Sequence, residues 1–119
     1  MSTSPTPTPA STLQLHTYPW GEATVVECTG QLTLEHTDRL KAHVRSLIPN
    51  AKSVILDLKG IGRMDSAGLG ALVALYISTK KANCDFLLAN YNSSIRSLLG
   101  LSNLLSVFES CAHSGMRIP

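Results

Sequence analysis

Val54-Ile55-Leu56-Asp57-Leu58, then Lys59-Gly60-Ile61-Gly62-Arg63, then Met64-Asp65-Ser66-Ala67-Gly68-Leu69-Gly70 is the stretch on which the fold turns. The first five residues, with Ser53 before them, form a short run that is nearly all apolar. This is the pattern of a strand covered on both faces, and hence of a central strand in a parallel sheet. The glycine-bearing segment reads as a turn. The third segment leads into apolar residues of helical period, Leu69, Leu72, Val73, Tyr76 and Ile77, closed by Lys80-Lys81, cations suited to the negative end of the helix dipole. Ser66 therefore falls on the first turn of a helix that follows the carboxyl end of a buried strand. The first N–H groups there have no intrahelical partner, so the position suits a capping hydroxyl and would also solvate a phosphate. Ala67 and Gly68 add little bulk around it.

Upstream, Leu13 and Leu15 alternate with Gln14 and His16 as in a half-buried strand. Tyr18-Pro19-Trp20-Gly21-Glu22 has turn chemistry, and Ala23 to Cys28 reads as a second strand, so the two should form an antiparallel hairpin. Gly30 breaks that strand. Leu40, Val44, Leu47 and Ile48 then lie on one helical face that ends before Pro49-Asn50, with Thr33, Glu35 and Thr37 each near its start. Downstream, Asp85 to Ala89 is a further buried strand. Asn90 to Ser94 offers capping residues for a third helix carrying Ile95, Leu98 and Leu99, with Gly100 as terminator. Leu104 to Phe108 suggests a last short strand. The order β-β-α-β-α-β-α-β gives one α/β domain over residues 12–110: an opening hairpin, then crossovers building a mixed, mostly parallel sheet of four to five strands with helices on its faces. Residues 1–11, rich in Pro, Ser and Thr, are expected to be a disordered tail, and residues 111–119 a C-terminal tail too short for a full helix.

Bulk properties narrow the function classes. A chain of 119 residues has room for one domain. A net charge of +2, with ten scattered Lys and Arg residues, argues against a nucleic-acid surface. Cys28, Cys84 and Cys111 show no metal-ligand or disulfide spacing and read as small apolar residues in a reducing compartment. With no signal peptide and no apolar run of about 18 residues, a cytoplasmic protein without membrane insertion is expected. Met64 stands where the first glycine of a hydrolase elbow would be. His16, His36, His43 and His113 show no triad spacing, and no phosphate-binding P-loop is present, so no catalytic residue is assigned. Asp65 reads as an N-cap or first-turn carboxylate. Asp57 reads as a carboxylate hydrogen-bonded to nearby loop N–H groups.

With these residues in view, the chain from about Leu13 to Phe108 resembles the sulfate transporter and anti-sigma factor antagonist (STAS) domain, and within it the bacterial anti-sigma factor antagonists. The resemblance rests on Val54 to Leu58 followed by Met64 to Gly70, supported by Gly30-Gln31-Leu32 and by Ser94 to Leu101. It implies a non-enzymatic switch needing no cofactor or metal of its own. Ser66 would accept phosphate from an anti-sigma factor that is also a serine kinase, which brings the ATP and magnesium, and a serine phosphatase would reset the cycle. The unphosphorylated form would bind the anti-sigma factor and the phosphorylated form release it. The implied partner surface comprises Thr33, Met64, Asp65, Ala67, Gly68 and Gly70. Thr33 departs from the family pattern, in which an aspartate often follows this Gly-x-Leu. The same resemblance admits a transporter-associated subunit docked through the same helix face, or a small-ligand domain.

Overall fold

The computed structural model describes residues 12–101. The expected N- and C-terminal tails, the strand expected at Leu104 to Phe108, Cys111 and His113 fall outside that range. Among the described residues, four strands and three helices follow one another in the order the sequence predicts for them: β1 (Leu13–Trp20), β2 (Ala23–Leu32), α1 (Thr37–Leu47), β3 (Ser53–Met64), α2 (Ser66–Lys81), β4 (Asp85–Ala89) and α3 (Ser93–Leu101). Single 3-10 turns at Leu34–His36 and Ile48–Asn50 flank α1. The sheet order is β1-β2-β3-β4, antiparallel between β1 and β2 and parallel thereafter. The expected hairpin and the central placement of β3 are both present.

The run at Val54 to Leu58 earns its central position by burying alternate residues on opposite faces. Val54, Leu56 and Leu58 join Val26, Cys28, Leu72, Leu75 and Phe86 in the main core, together with Leu40 and Val44 of α1 and Ile95 and Leu99 of α3. Ile55 joins Val25 and Leu87 on the other face, with Tyr18 and Trp20 of β1 packed against them. Apolar surface buried at roughly 25 cal/mol per Å² is the term that holds such a sheet together.

Several boundaries differ from the sequence expectation, each for a tertiary reason. Tyr18-Pro19-Trp20 is strand rather than turn: Pro19 pairs with Thr24 in β1, an edge strand, where a missing ladder donor is tolerated. The turn is only Gly21-Glu22. Gly30, expected to break β2, lies within it at φ 115°, beside a register irregularity against β3. Likewise Lys59 to Arg63 is not a turn. Strand β3 continues to Met64 and pairs with β2 as far as Leu32 opposite Met64. The ladder passes a bulge where Glu27 faces Asp57 and Thr29 faces Gly60. Gly60 permits that approach, because a Cβ there would lie 2.9 Å from Thr29 Oγ1 and 3.0 Å from the Cys28 carbonyl oxygen. Helix α3 opens on Asn92, whose Oδ1 accepts the Ile95 N–H at 2.9 Å, and it includes Gly100 instead of ending before it.

The buried face of α2 also differs. Gly68, Ala71, Leu72, Leu75 and Thr79 are buried, whereas Ile77 of the expected face is 48% exposed. Small residues turn inward so that the helix lies close to the sheet, and a reading weighted by apolar bulk is misled. Burial of Thr79 carries no unpaired hydroxyl, since its Oγ1 reaches the Leu75 and Tyr76 carbonyl oxygens, each at 2.9 Å.

Candidate functional site

The parallel ends of β2 and β3 deliver Leu32 and Met64 side by side, and at that same end the chain leaves β2 for the 3-10 turn at Leu34–His36 and leaves β3, through Asp65, directly for α2. Functional sites of open α/β sheets gather at such carboxyl ends. Asp65 is the residue that joins the two exits. Its backbone N–H donates to the Leu32 carbonyl oxygen at 3.3 Å. Its extended backbone, φ −104° and ψ −174°, makes it the N-cap of α2, with Oδ1 accepting the Gly68 N–H at 2.9 Å. The other oxygen, Oδ2, accepts the Leu34 N–H at 3.2 Å. One carboxylate thus fastens the loop after β2 to the first turn of α2.

These contacts fix its charge. The Gly68 N–H is the largest influence holding the Asp65 carboxyl below the usual carboxylate range; desolvation opposes it, and the Leu34 N–H reinforces it. The N-cap reading of Asp65 is correct. Because Asp65 takes the cap, Ser66 does not. It is the first residue of α2, it is exposed, and its side chain makes no hydrogen bond among the described residues. The purely capping role is therefore not the one Ser66 has.

The structure brings together most of the residues singled out from the sequence. Thr33 lies between Leu32 and Leu34, both of which are hydrogen-bonded to Asp65. Its backbone is extended, φ −124° and ψ 176°, and its carbonyl accepts the His36 N–H at 2.8 Å. Met64 is half-buried below, and Ala67 is half-buried on the first turn. Gly68 is buried against the sheet: a Cβ there would strike the Leu32 carbonyl oxygen and come within 2.7 Å of Met64 Cγ. Gly70 is different, being exposed with no atom within 4 Å of where its Cβ would stand. Gly68 therefore serves the fold, and Gly70 is one turn along the open face that begins at Ser66. Leu34 was not singled out by the sequence reading. It is 72% exposed, beside the site and pinned by Asp65. Its sequence trace is a leucine between Thr33 and Glu35 that belongs to neither flanking apolar period.

With this geometry in place, comparison with known proteins becomes decisive. The family profile described as the STAS domain matches residues 15–115. The chain belongs to the STAS domain family. Solved structures with the same fold include an anti-sigma factor antagonist from Mycobacterium paratuberculosis, 18% identical over 82% of this chain and 83% of that one, with a TM-score of 0.73. The anti-sigma factor antagonist SpoIIAA in its unphosphorylated form is 20% identical over 80% of this chain and 84% of that one, at 0.68. A sulfate transporter family protein from Wolinella succinogenes is 20% identical over 74% and 72%, at 0.66. The STAS fold of this chain is thus similar to both antagonists and transporter-associated domains. Among the described residues no helix is long and apolar enough to cross a membrane, and no group of three or more His, Cys, Asp or Glu side chains could hold a metal ion.

Proposed function

We propose that this STAS domain is a cytoplasmic anti-sigma factor antagonist, a non-catalytic binding module switched by phosphorylation of Ser66. The observation that carries the reading is the exposed Ser66 hydroxyl on the first turn of α2, relieved of capping by Asp65. Phosphoryl transfer to a protein needs a reachable, positioned hydroxyl, while the kinase supplies nucleotide, metal and base. The unmodified surface around Ser66, with Thr33, Asp65, Ala67 and Gly70 at its edge and Met64 and Gly68 supporting it, binds an anti-sigma factor kinase. A phosphate adds about −1.5 to −2 charges beside Asp65, which is already anionic, and so disrupts that contact. A serine phosphatase restores it. The matched structures of SpoIIAA in unphosphorylated and phosphorylated forms give the reading its precedent.

The test is incubation with the cognate kinase and ATP, followed by mass spectrometry of wild type and Ser66→Ala. A single phosphate on the wild type and none on the variant is expected. Modification elsewhere, or equal labelling of both proteins, would overturn the assignment. A second reading, a subunit docked on a membrane transporter through the same α2 face, is favoured by the match to the Wolinella protein. It predicts stable co-purification with transporter subunits whether or not Ser66 carries phosphate.

A further inference from the structure

Helix α2 meets solvent without charge. From Ser66 to Thr79 it contains no Asp, Glu, Lys, Arg or His. The neighbouring helices differ: α1 shows Asp38, Arg39 and Arg45 to solvent, and α3 shows Arg96. A surface helix ordinarily carries its charged residues on the face away from the core. On α2 that face carries Ser66, Gly70, Val73 and Ile77, spaced four, three and four residues apart and so aligned in one stripe along the axis. Ser66 and Gly70 are exposed, Val73 is half-buried, and Ile77 is 48% exposed. Ile77 is one of three exposed large apolar side chains among the described residues, and another, Leu34, lies beside Ser66 at the near end of the stripe.

Two features indicate what covers this face. Glycine is, after proline, the costliest residue in a helix interior. At Gly70 nothing within the molecule uses its smallness, since no atom of the described residues lies within 4 Å of where a Cβ would stand. The opening is available to an approaching chain. At the far end Lys81 is exposed and forms no ion pair among the described residues, which leaves its charge for an acidic group from outside. The near end begins at Ser66, so the stripe is continuous with the surface assigned above to the anti-sigma factor kinase.

We propose that the kinase bound at Ser66 also covers α2 as far as Ile77, with an apolar ridge along the stripe and an acidic side chain facing Lys81. The proposal rests on the antagonist reading and adds the chemistry of the partner to it. Interface centres are apolar and poor in charge, as this face is, while a rim charge such as Lys81 sets orientation and encounter. Ile77 stands about 16 Å along the axis from Ser66, at a rise of 1.5 Å per residue. It is too distant to touch the reacting hydroxyl. One end of the helix thus holds the partner, and the phosphate acts at the other.

The test is calorimetric titration of the full chain with the cognate anti-sigma factor kinase, using wild type, Ile77→Leu, Ile77→Glu and Lys81→Glu, each checked for its fold by circular dichroism. Ile77→Glu should weaken binding at least tenfold and Ile77→Leu should not. Lys81→Glu should weaken binding at low salt, with the difference shrinking as salt is added. In steady-state phosphorylation, Ile77→Glu should raise KM for the antagonist and leave kcat unchanged, because it removes contact area and not a group at the reacting centre. Undiminished affinity in Ile77→Glu, or in Lys81→Glu at low salt, overturns the proposal. So does a wild type that runs as a dimer on size-exclusion chromatography and an Ile77→Glu variant that runs as a monomer, since a second copy would then cover the stripe. A wild type that does not bind the kinase at all fails the antagonist reading itself, and this proposal with it.

Discussion

The carboxylate of Asp65 carries a charge at the start of α2 and accepts one backbone N–H on each oxygen, from Gly68 and from Leu34. Asparagine caps helices about as well as aspartate but carries no charge and has a single acceptor oxygen, so Asp65→Asn keeps the cap on the Gly68 N–H while losing the interaction with the helix dipole and the acceptor of the Leu34 N–H. We expect it to lower stability at pH 7 by about 1–2 kcal/mol, the lost charge and the lost hydrogen bond to Leu34 together. The pH dependence has a definite sign. Hydrogen bonds from Gly68 and Leu34 depress the folded carboxyl's pKa, so the unfolded chain binds the proton more tightly. The stabilisation is complete above the unfolded value, near 3.9, and is lost as pH falls through the lower folded value. Urea midpoints of wild type and variant should differ at pH 7 and converge once Asp65 is protonated; a gap that widens on acidification would contradict this account.

At the scale of the element, α2 contains two glycines to which helix propensity assigns the same cost but the structure assigns opposite roles. Replacing either with alanine gains about 1 kcal/mol of propensity. At Gly70 nothing opposes that gain, so Gly70→Ala should raise the melting temperature. At Gly68 the new methyl meets the Leu32 carbonyl, so Gly68→Ala should lower it despite the same propensity gain. Thermal melts by circular dichroism suffice to distinguish the two. The case also shows what sequence can disclose. Buried strands announce themselves as apolar runs, as in Val54 to Leu58 and Phe86 to Leu88, and Asp65 with Ser66 marks a helix start by its own chemistry. Which side of α2 faces the sheet is not announced, because Gly68 and Ala71 are buried for their smallness, which no apolar scale rewards. The second half of β3 is hidden for a related reason: Lys59 to Arg63 has the composition of a turn, and pairing with β2 overrides it. Leu34 escapes notice because its tether comes from Asp65, across the sheet edge, and not from a chain neighbour.

For the whole molecule, the site and the core are largely independent. Ser66 is exposed, while the main core is assembled from the sheet and the inner faces of the three helices. Ser66→Asp should therefore leave stability within about 0.5 kcal/mol of wild type, as surface changes usually do, yet weaken anti-sigma factor binding measured by calorimetry. A large loss of stability, or unchanged affinity, would contradict the charge-based switch. By contrast, Leu56→Ala in the central strand removes fully buried volume and should cost about 2–5 kcal/mol by urea denaturation. The ladder between β2 and β3 bears on how such a molecule tolerates change. Beyond Leu32 and Met64 the pairing does not stop at the last strand residues: the Asp65 amide and carboxylate supply one further rung, spaced to meet the Leu32 carbonyl and the Leu34 amide. Most surface loops absorb an inserted residue at little expense. This one is measured against a side chain, so a residue added beside Thr33 would slide Leu34 off its acceptor and put the loop out of step with the helix that carries Ser66.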